Sequence, residues 1–157
     1  NIGFTYVMQR SAGLEGNVDH TVSLDLVCID NVVYITTATE TFDGIEWTTE
    51  YPEGTIYLPA SLEDGVTWER HGIFTGRSGT DSITFDLVER FRCTGEDTIS
   101  IIAGEFNAYK VDFTIEKIGE DNTFSSSGSS WYMPGIGRVL TESNQRLELI
   151  SHESGDS

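Results

Sequence analysis

The chain predicts an all-β fold: a strongly curled antiparallel sheet, a half-barrel or incomplete barrel, with few or no helices. Three observations carry this. Apolar residues recur at every second position through several long segments, the period of a strand with one buried and one wet face. Turn residues separate these segments at roughly the 8–12-residue spacing of sandwiches and barrels. No window carries a 3.6-residue apolar stripe, and ASLED (60–64) makes at most one helical turn.

Taken in order, VDHTVSLDLVC (18–28) sets Val18, His20, Val22, Leu24, Leu26 and Cys28 against Asp19, Thr21, Ser23 and Asp25. Asp30-Asn31 turns it into VVYITTATETF, and Asp43-Gly44, a tight-hairpin pair, turns that into IEWTTEY (45–51). There Ile45, Trp47 and Tyr51 oppose Glu46, Thr48 and Glu50. Turns follow at 52–54, 64–65 and 76–79. ITFDLVERFRC (83–93) alternates Ile83, Phe85, Leu87, Phe91 and Cys93 against Thr84, Asp86, Arg90 and Arg92. YKVDFTIEKI (109–118) sets Tyr109, Val111, Phe113 and Ile115 against Lys110, Asp112, Thr114 and Glu116. After a turn at 119–122, FSSSGSS (124–130) reads as a long flexible loop, and RLELIS (146–151) as a closing strand. A single β-domain over residues 1–151 with a polar tail at 152–157 is expected. One sheet of such strands curls to bury its apolar faces around either packed side chains or a cavity.

With 26 acidic and 9 basic residues the 157-residue chain carries a net charge of −17, and only Lys110 and Lys117 are lysines. That field repels phosphate backbones and anionic membrane surfaces, so no nucleic-acid partner is expected. It suits a highly soluble surface, or adaptation to high salt or a calcium-rich exterior. No apolar run reaches the length of a transmembrane segment. A chain opening at Asn1 rather than methionine is a processed or trimmed one, which points to export: periplasm, cell envelope or extracellular space.

Cys28 and Cys93 match no metal or redox spacing. If their strands are neighbours, a disulfide between them would contribute roughly 4 kcal/mol by restricting the unfolded chain; otherwise they are two buried thiols. His20, His71 and His152 lack companions at metal-ligand spacing, so no metal or cofactor is expected. His20 reads as a core histidine and His71 as exposed. No GxSxG motif occurs. GEDNTFSSSG (119–128) offers Glu120, Asp121 and Asn122 as a weak calcium loop or, more simply, a solvated one.

In SSWYMPGIGRVL (129–140), RVLTE reads as strand rather than the helix a phosphate loop needs. Pro134-Gly135 fits the centre of a type II turn, and Gly137 a bulge. The segment is thus strand, turn and strand, with Trp131 and Tyr132 on opposite faces.

These residues carry a resemblance. CTGEDTISIIAGEFNAYKV, through Gly95, Glu96, Ala103, Gly104, Phe106 and Val111, and WYMPGIGRV, through Trp131, Tyr132, Pro134, Gly135, Gly137 and Val139, resemble paired motifs of small exported bacterial β-domains of unknown function, the TapB-like group. YLPASLEDGVTWER adds Leu58, Pro59, Gly65 and Trp68, and RLELIS the closing strand. The similarity covers residues 55–151 and departs at Ile102, where proline is usual, and at Met133, where a small residue is common. It implies a curled sheet similar to the lipoprotein-carrier half-barrels, which hold acyl chains within the curl, usually behind a signal peptide or lipobox.

The resulting expectation is a non-enzymatic exported domain binding a lipid or other hydrophobic small molecule on its concave face. Trp47, Tyr51, Phe85, Phe91, Tyr109, Phe113 and Trp131 are the ligand-lining candidates, ordinary core packing being the alternative for each. A second expectation is an assembly module that pairs with a protein partner through an edge strand. A third, an enzyme, would work through acids such as Asp25, Asp86 or Glu89.

Overall fold

The computed structural model describes residues 2–11, 17–42, 45–101, 104–133, 137–142 and 146–156, with side chains described over 22–41, 45–101, 104–133 and 138–142. The described residues form one antiparallel sheet of eleven strands: β1 (Ile2–Ser11), β2 (Asn17–Ile29), β3 (Val32–Phe42), β4 (Ile45–Glu50), β5 (Ile56–Leu58), β6 (Thr67–Ser78), β7 (Asp81–Ile101), β8 (Gly104–Ile118), β9 (Thr123–Met133), β10 (Gly137–Glu142) and β11 (Arg146–Asp156). This is the helix-free antiparallel class that the alternation predicts.

The ladder runs from β1 through β2, β3, β4, β6, β7, β8, β9, β10 and β11, and β11 pairs with β1. Ten strands therefore make a closed hydrogen-bonding circuit, the arrangement that removes sheet edges. β5 is appended to β3 through Val33↔Leu58 and Tyr34↔Ile56. β4 pairs with β6 only over Glu46↔Arg77 to Glu50↔Ile73. From Gly72 back to Thr67, β6 has no ladder to β5 among the described residues, so the wall carries a seam there.

Alternation sets the inner face. Along β7, Phe85, Leu87, Glu89, Phe91 and Cys93 are all at most 8% exposed, while Asp86, Arg90 and Arg92 face solvent. Cross-strand rows follow from the register: Trp68, Phe91 and Phe113; Arg70, Glu89 and Ile115; Gly72, Leu87 and Lys117. Burial of each large apolar side chain stabilises by roughly 1.5–3 kcal/mol. The first hairpin has the geometry its turn requires, with Asp30 and Asn31 at φ 52° and 65°, the positive pair that Asn and Asp tolerate.

Gly95 redirects the long β7–β8 hairpin. A bulge falls between Cys93 and Gly95, and Gly95 adopts φ 103°, where a Cβ would be strained. Beyond it Ile99, Ile101 and Ala108 return to the same buried cluster as Tyr57, Trp68 and Tyr132. Leu62 and Val66 pack against that cluster as well. The loop carrying them is held by Gly65 N–H donating to the Cys93 carbonyl (2.8 Å) and Cys93 N–H donating to the Val66 carbonyl (2.8 Å).

Three expectations are corrected. FSSSGSS is not a loop: it belongs to β9 and pairs residue by residue with β8. Backbone pairing needs no apolar side chain, and Ser129 Oγ donates across the ladder to Asp112 (2.6 Å). The polar tail is strand to Asp156, where Ile2 pairs with it. Cys28 and Cys93 are free, one exposed and one buried. β2 neighbours β1 and β3 while β7 neighbours β6 and β8, so the neighbouring-strand condition for a disulfide between these cysteines is not met. Cys28 lies near the Asp30-Asn31 turn, at the exposed end of β2. The turns at 43–44 and 134–136 and the side chains of His20 and His152 lie outside the described residues.

Candidate functional site

The inner face has a polar layer and an aromatic mouth. The polar layer begins with β6 and β7 placing Arg70 opposite Glu89, each under one-tenth exposed. Arg70 Nη2 donates to Glu89 Oε2 at 3.4 Å, and Nε stands 3.4 Å from Oε1 without hydrogen-bond alignment. Tyr51, just past the end of β4, donates its hydroxyl to Glu89 Oε1 at 2.7 Å. The guanidinium carbon lies 4.3 Å from the Phe91 ring centroid, 5.1 Å from Tyr57 and 5.8 Å from Tyr51, so π faces replace part of its lost hydration. Burial works against the Arg70 charge, but the neighbouring Glu89 carboxylate holds the protonated form. The Tyr51 hydroxyl is pushed well above its ordinary range, first by burial and then by the Glu89 charge. The indole N–H of Trp68, in the next row, has no partner among the described residues; its ring stacks on Phe91 at 5.2 Å.

Toward the hairpins that join β6 to β7 and β8 to β9, the inner face becomes aromatic and opens. Trp47 stacks on Phe74 with centroids 4.8 Å apart and planes 3° off parallel. Phe74 meets Phe85 at 6.4 Å, and Phe85 meets Phe124 edge-on at 5.7 Å. Gly76 makes the stack possible: a Cβ there would strike the Trp47 ring. Burial falls round this end. Phe85 and Leu87 are buried, Ile115 and Ser126 are half-buried, and Phe124 and Ile83 are 53% and 49% exposed. Lys117 lies on this face, its Nζ 4.4 Å from the Phe74 centroid.

Of the lining candidates, Trp47, Phe85, Phe91 and Phe113 face inward, and Tyr51 closes the polar layer. Two are placed otherwise. Tyr109 falls beyond the Gly95 bulge opposite Glu96, whose charge foremost, then its hydrogen bond, raises the phenol pKa; it belongs to the hairpin arm, not the mouth. Trp131 is buried on the face opposite Tyr132, with its N–H donating to Asp97 Oδ2 (3.1 Å) and the Lys110 ammonium 5.8 Å from its ring. Sequence reasoning missed Arg70, Phe74, Ile83, Lys117 and Phe124 as site residues. For Glu89 and Lys117 a signal was present, since each continues the apolar parity of its strand as a polar interruption.

On the outer wall, where β4 ends, a shallow groove of about 590 Å³ runs between Glu50–Pro52 and His71–Ile73 and reaches Asp86, Val88 and Ile118. Among the described residues no group of three or more His, Cys, Asp or Glu could hold a metal ion, and no helix is long and apolar enough to cross a membrane.

No family model matches the chain, and no curated protein matches it. Its fold is found in solved structures. A protein of Parabacteroides distasonis described as a lipoprotein superposes with a TM-score of 0.57 at 14% identity, covering 96% of this chain and 95% of that one. An exported protein with a YmcC-like fold from Bacteroides fragilis superposes at 0.50 with 11% identity, covering 97% and 95%. At these identities the likeness is one of fold.

Proposed function

We propose that this chain is a non-enzymatic β-domain of the cell envelope or exterior, and that the aromatic mouth of its barrel binds a lipid or other hydrophobic ligand. The observation that carries the reading is the exposure, among the described residues, of large apolar inner-face side chains at the end where β6 turns into β7 and β8 into β9. Phe124 and Ile83 stand about half exposed beside the stacked Trp47 and Phe74, whereas Trp68, Phe91, Cys93, Val111 and Phe113, further along the inner face, are buried. Exposed apolar surface clustered at one place marks an interaction site rather than ordinary surface. Export is supported by the lipoprotein and the exported protein that share the fold, and by the motifs that resemble the TapB-like exported domains. Catalysis has no comparable support: Glu89 is committed to Arg70 and Tyr51, and Asp86 stands on the outer wall.

Native mass spectrometry of protein isolated from its source, set against the denatured mass, tests this reading. A monomer with a releasable apolar adduct supports it, and identifies the ligand. A bare monomer that also fails to take up a hydrophobic fluorescent probe, with Phe124→Asp behaving like wild type, overturns it.

The alternative, assembly through sheet edges, has less to work with. The circuit of ten strands closes, and what lacks a second ladder partner among the described residues comes in short stretches: three-residue β5, residues 67–72 of β6, and the β7–β8 arm beyond Gly95. Short edges are how natural sheets avoid pairing.

A further inference from the structure

We infer that the mouth selects amphiphiles with an anionic head: a single apolar chain seated among Trp47, Phe74, Phe85 and Phe124, with its carboxylate or phosphate held at Lys117. This deepens the reading above and depends on it. The argument starts from charge. The chain carries 26 acidic residues and two lysines, so a lysine without a carboxylate partner is unexpected on statistics alone. Lys110 stands on the arm side over Trp131. Lys117 continues the inward series Val111, Phe113, Ile115, opposite Leu87 and Phe124, half-buried at the rim of the apolar surface. Its ammonium rests over Phe74 and pairs with no acid among the described residues.

An ammonium so placed retains unused donor capacity, because a π face satisfies charge but not all three N–H groups. The exposed carboxylates Glu116 and Asp86 point to the outer wall, where Glu116 accepts from Arg90. Inside, Glu89 is taken by Arg70 and Tyr51. Glu40, opposite Trp47 on β3, is the other inward carboxylate among the described residues, and it disfavours multiply charged heads more than single ones. An apolar chain entering past Phe124 and Ile83 would therefore leave its head level with Lys117, where a charge-assisted hydrogen bond is available in a partly desolvated site.

Binding of dodecanoate, dodecyl phosphate and dodecanol, each below its aggregation concentration, is measured by titration calorimetry and by tryptophan emission. Wild type, Lys117→Met, Lys117→Arg and Phe124→Ser are compared after thermal melts confirm folding. The expected result is that wild type prefers at least one anionic ligand over dodecanol by about tenfold. Lys117→Met removes that preference without changing dodecanol affinity, Lys117→Arg keeps it, and Phe124→Ser weakens all three. The stronger of dodecanoate and dodecyl phosphate names the head. Equal affinity for all three, or a preference that survives Lys117→Met, overturns the head-group assignment while leaving the apolar mouth intact. No binding by any ligand overturns both.

Discussion

Two ion pairs sit back to back on β6 and β7. Arg70 and Glu89 oppose each other across the ladder on the inner face, and Glu69 and Arg90 do so one residue along, on the outer face. The strands, the pairing and the residue types are the same, with the charges exchanged. What differs is the medium. The inner pair has side chains 7% and 10% exposed, whereas Arg90 and Glu69 are 52% and 54% exposed. Outside, Arg90 divides its guanidinium between Glu69 and Glu116, both at 3.3 Å, with water as the alternative partner. Inside, Glu89 and three aromatic rings surround the guanidinium. Burial rather than contact distance should set the energetic consequence: the outer contacts are slightly shorter, yet removing an inner partner is expected to be far more damaging.

The largest expected effect is therefore Glu89→Ala, which strands a buried guanidinium and the Tyr51 hydroxyl together. Urea unfolding should show a loss of about 3–5 kcal/mol, the range for breaking a buried pair from one side. Replacing the whole layer at once, as Arg70→Met with Glu89→Leu and Tyr51→Phe, should recover most of that loss, because no unpaired charge is left. If the triple variant is as unstable as Glu89→Ala, the layer contributes through its shape rather than its charge.

Next in size is Gly76→Ala, which tests the mouth in place of the polar layer. Its Cβ would meet the Trp47 ring, forcing the indole off Phe74 at a cost of about 1–3 kcal/mol and shifting Trp emission.

Tyr51 sharpens the comparison through pH. Its phenol is raised above the ordinary 10.0, by burial first and the Glu89 charge second. Between the unfolded and folded pKa the native state binds more protons than the unfolded chain, so stability falls as pH rises through that window. The contribution is fully present below pH 10 and is lost above it. Stability measured from pH 8 to 11 should decline in wild type and decline less steeply in Tyr51→Phe, whose loss at neutral pH should be about 1–3 kcal/mol from the missing bond to a charged acceptor.

How much of this was legible in the sequence depends on which residue is asked. Phe85, Phe91 and Phe113 were placed inward by alternation alone, because a strand's period is fixed by its backbone. Tyr109 keeps the same parity, opposite Tyr132, but stands past the level where β7 bulges at Gly95; alternation gives the face of a residue and not its distance along the barrel. The serines of β9 looked like loop because their pairing with β8 is made by backbone. Closure of the ladder depends on β11 meeting β1 at opposite ends of the chain, which local pattern cannot report. Glu89 was visible as the gap in an apolar face, but its partner Arg70 emerged only once the register of β6 and β7 was known.

The smallest effect should come from the outer pair, and it makes the comparison quantitative. Arg90→Ala removes two contacts at once, to Glu69 and Glu116, yet both acids can return to water at little cost. The loss should be under about 1 kcal/mol. It should shrink as salt is raised toward 1 M, where the screening length falls to about 3 Å. The penalty for Glu89→Ala should hardly respond to the same salt, since ions do not enter the packed interior. A double-mutant cycle across Arg90 and Glu69, run beside one across Arg70 and Glu89, measures each coupling directly. Equal couplings, or equal salt dependence, would mean that the seam beside β6 admits water to Arg70 and that the inner layer is wetter than its burial indicates.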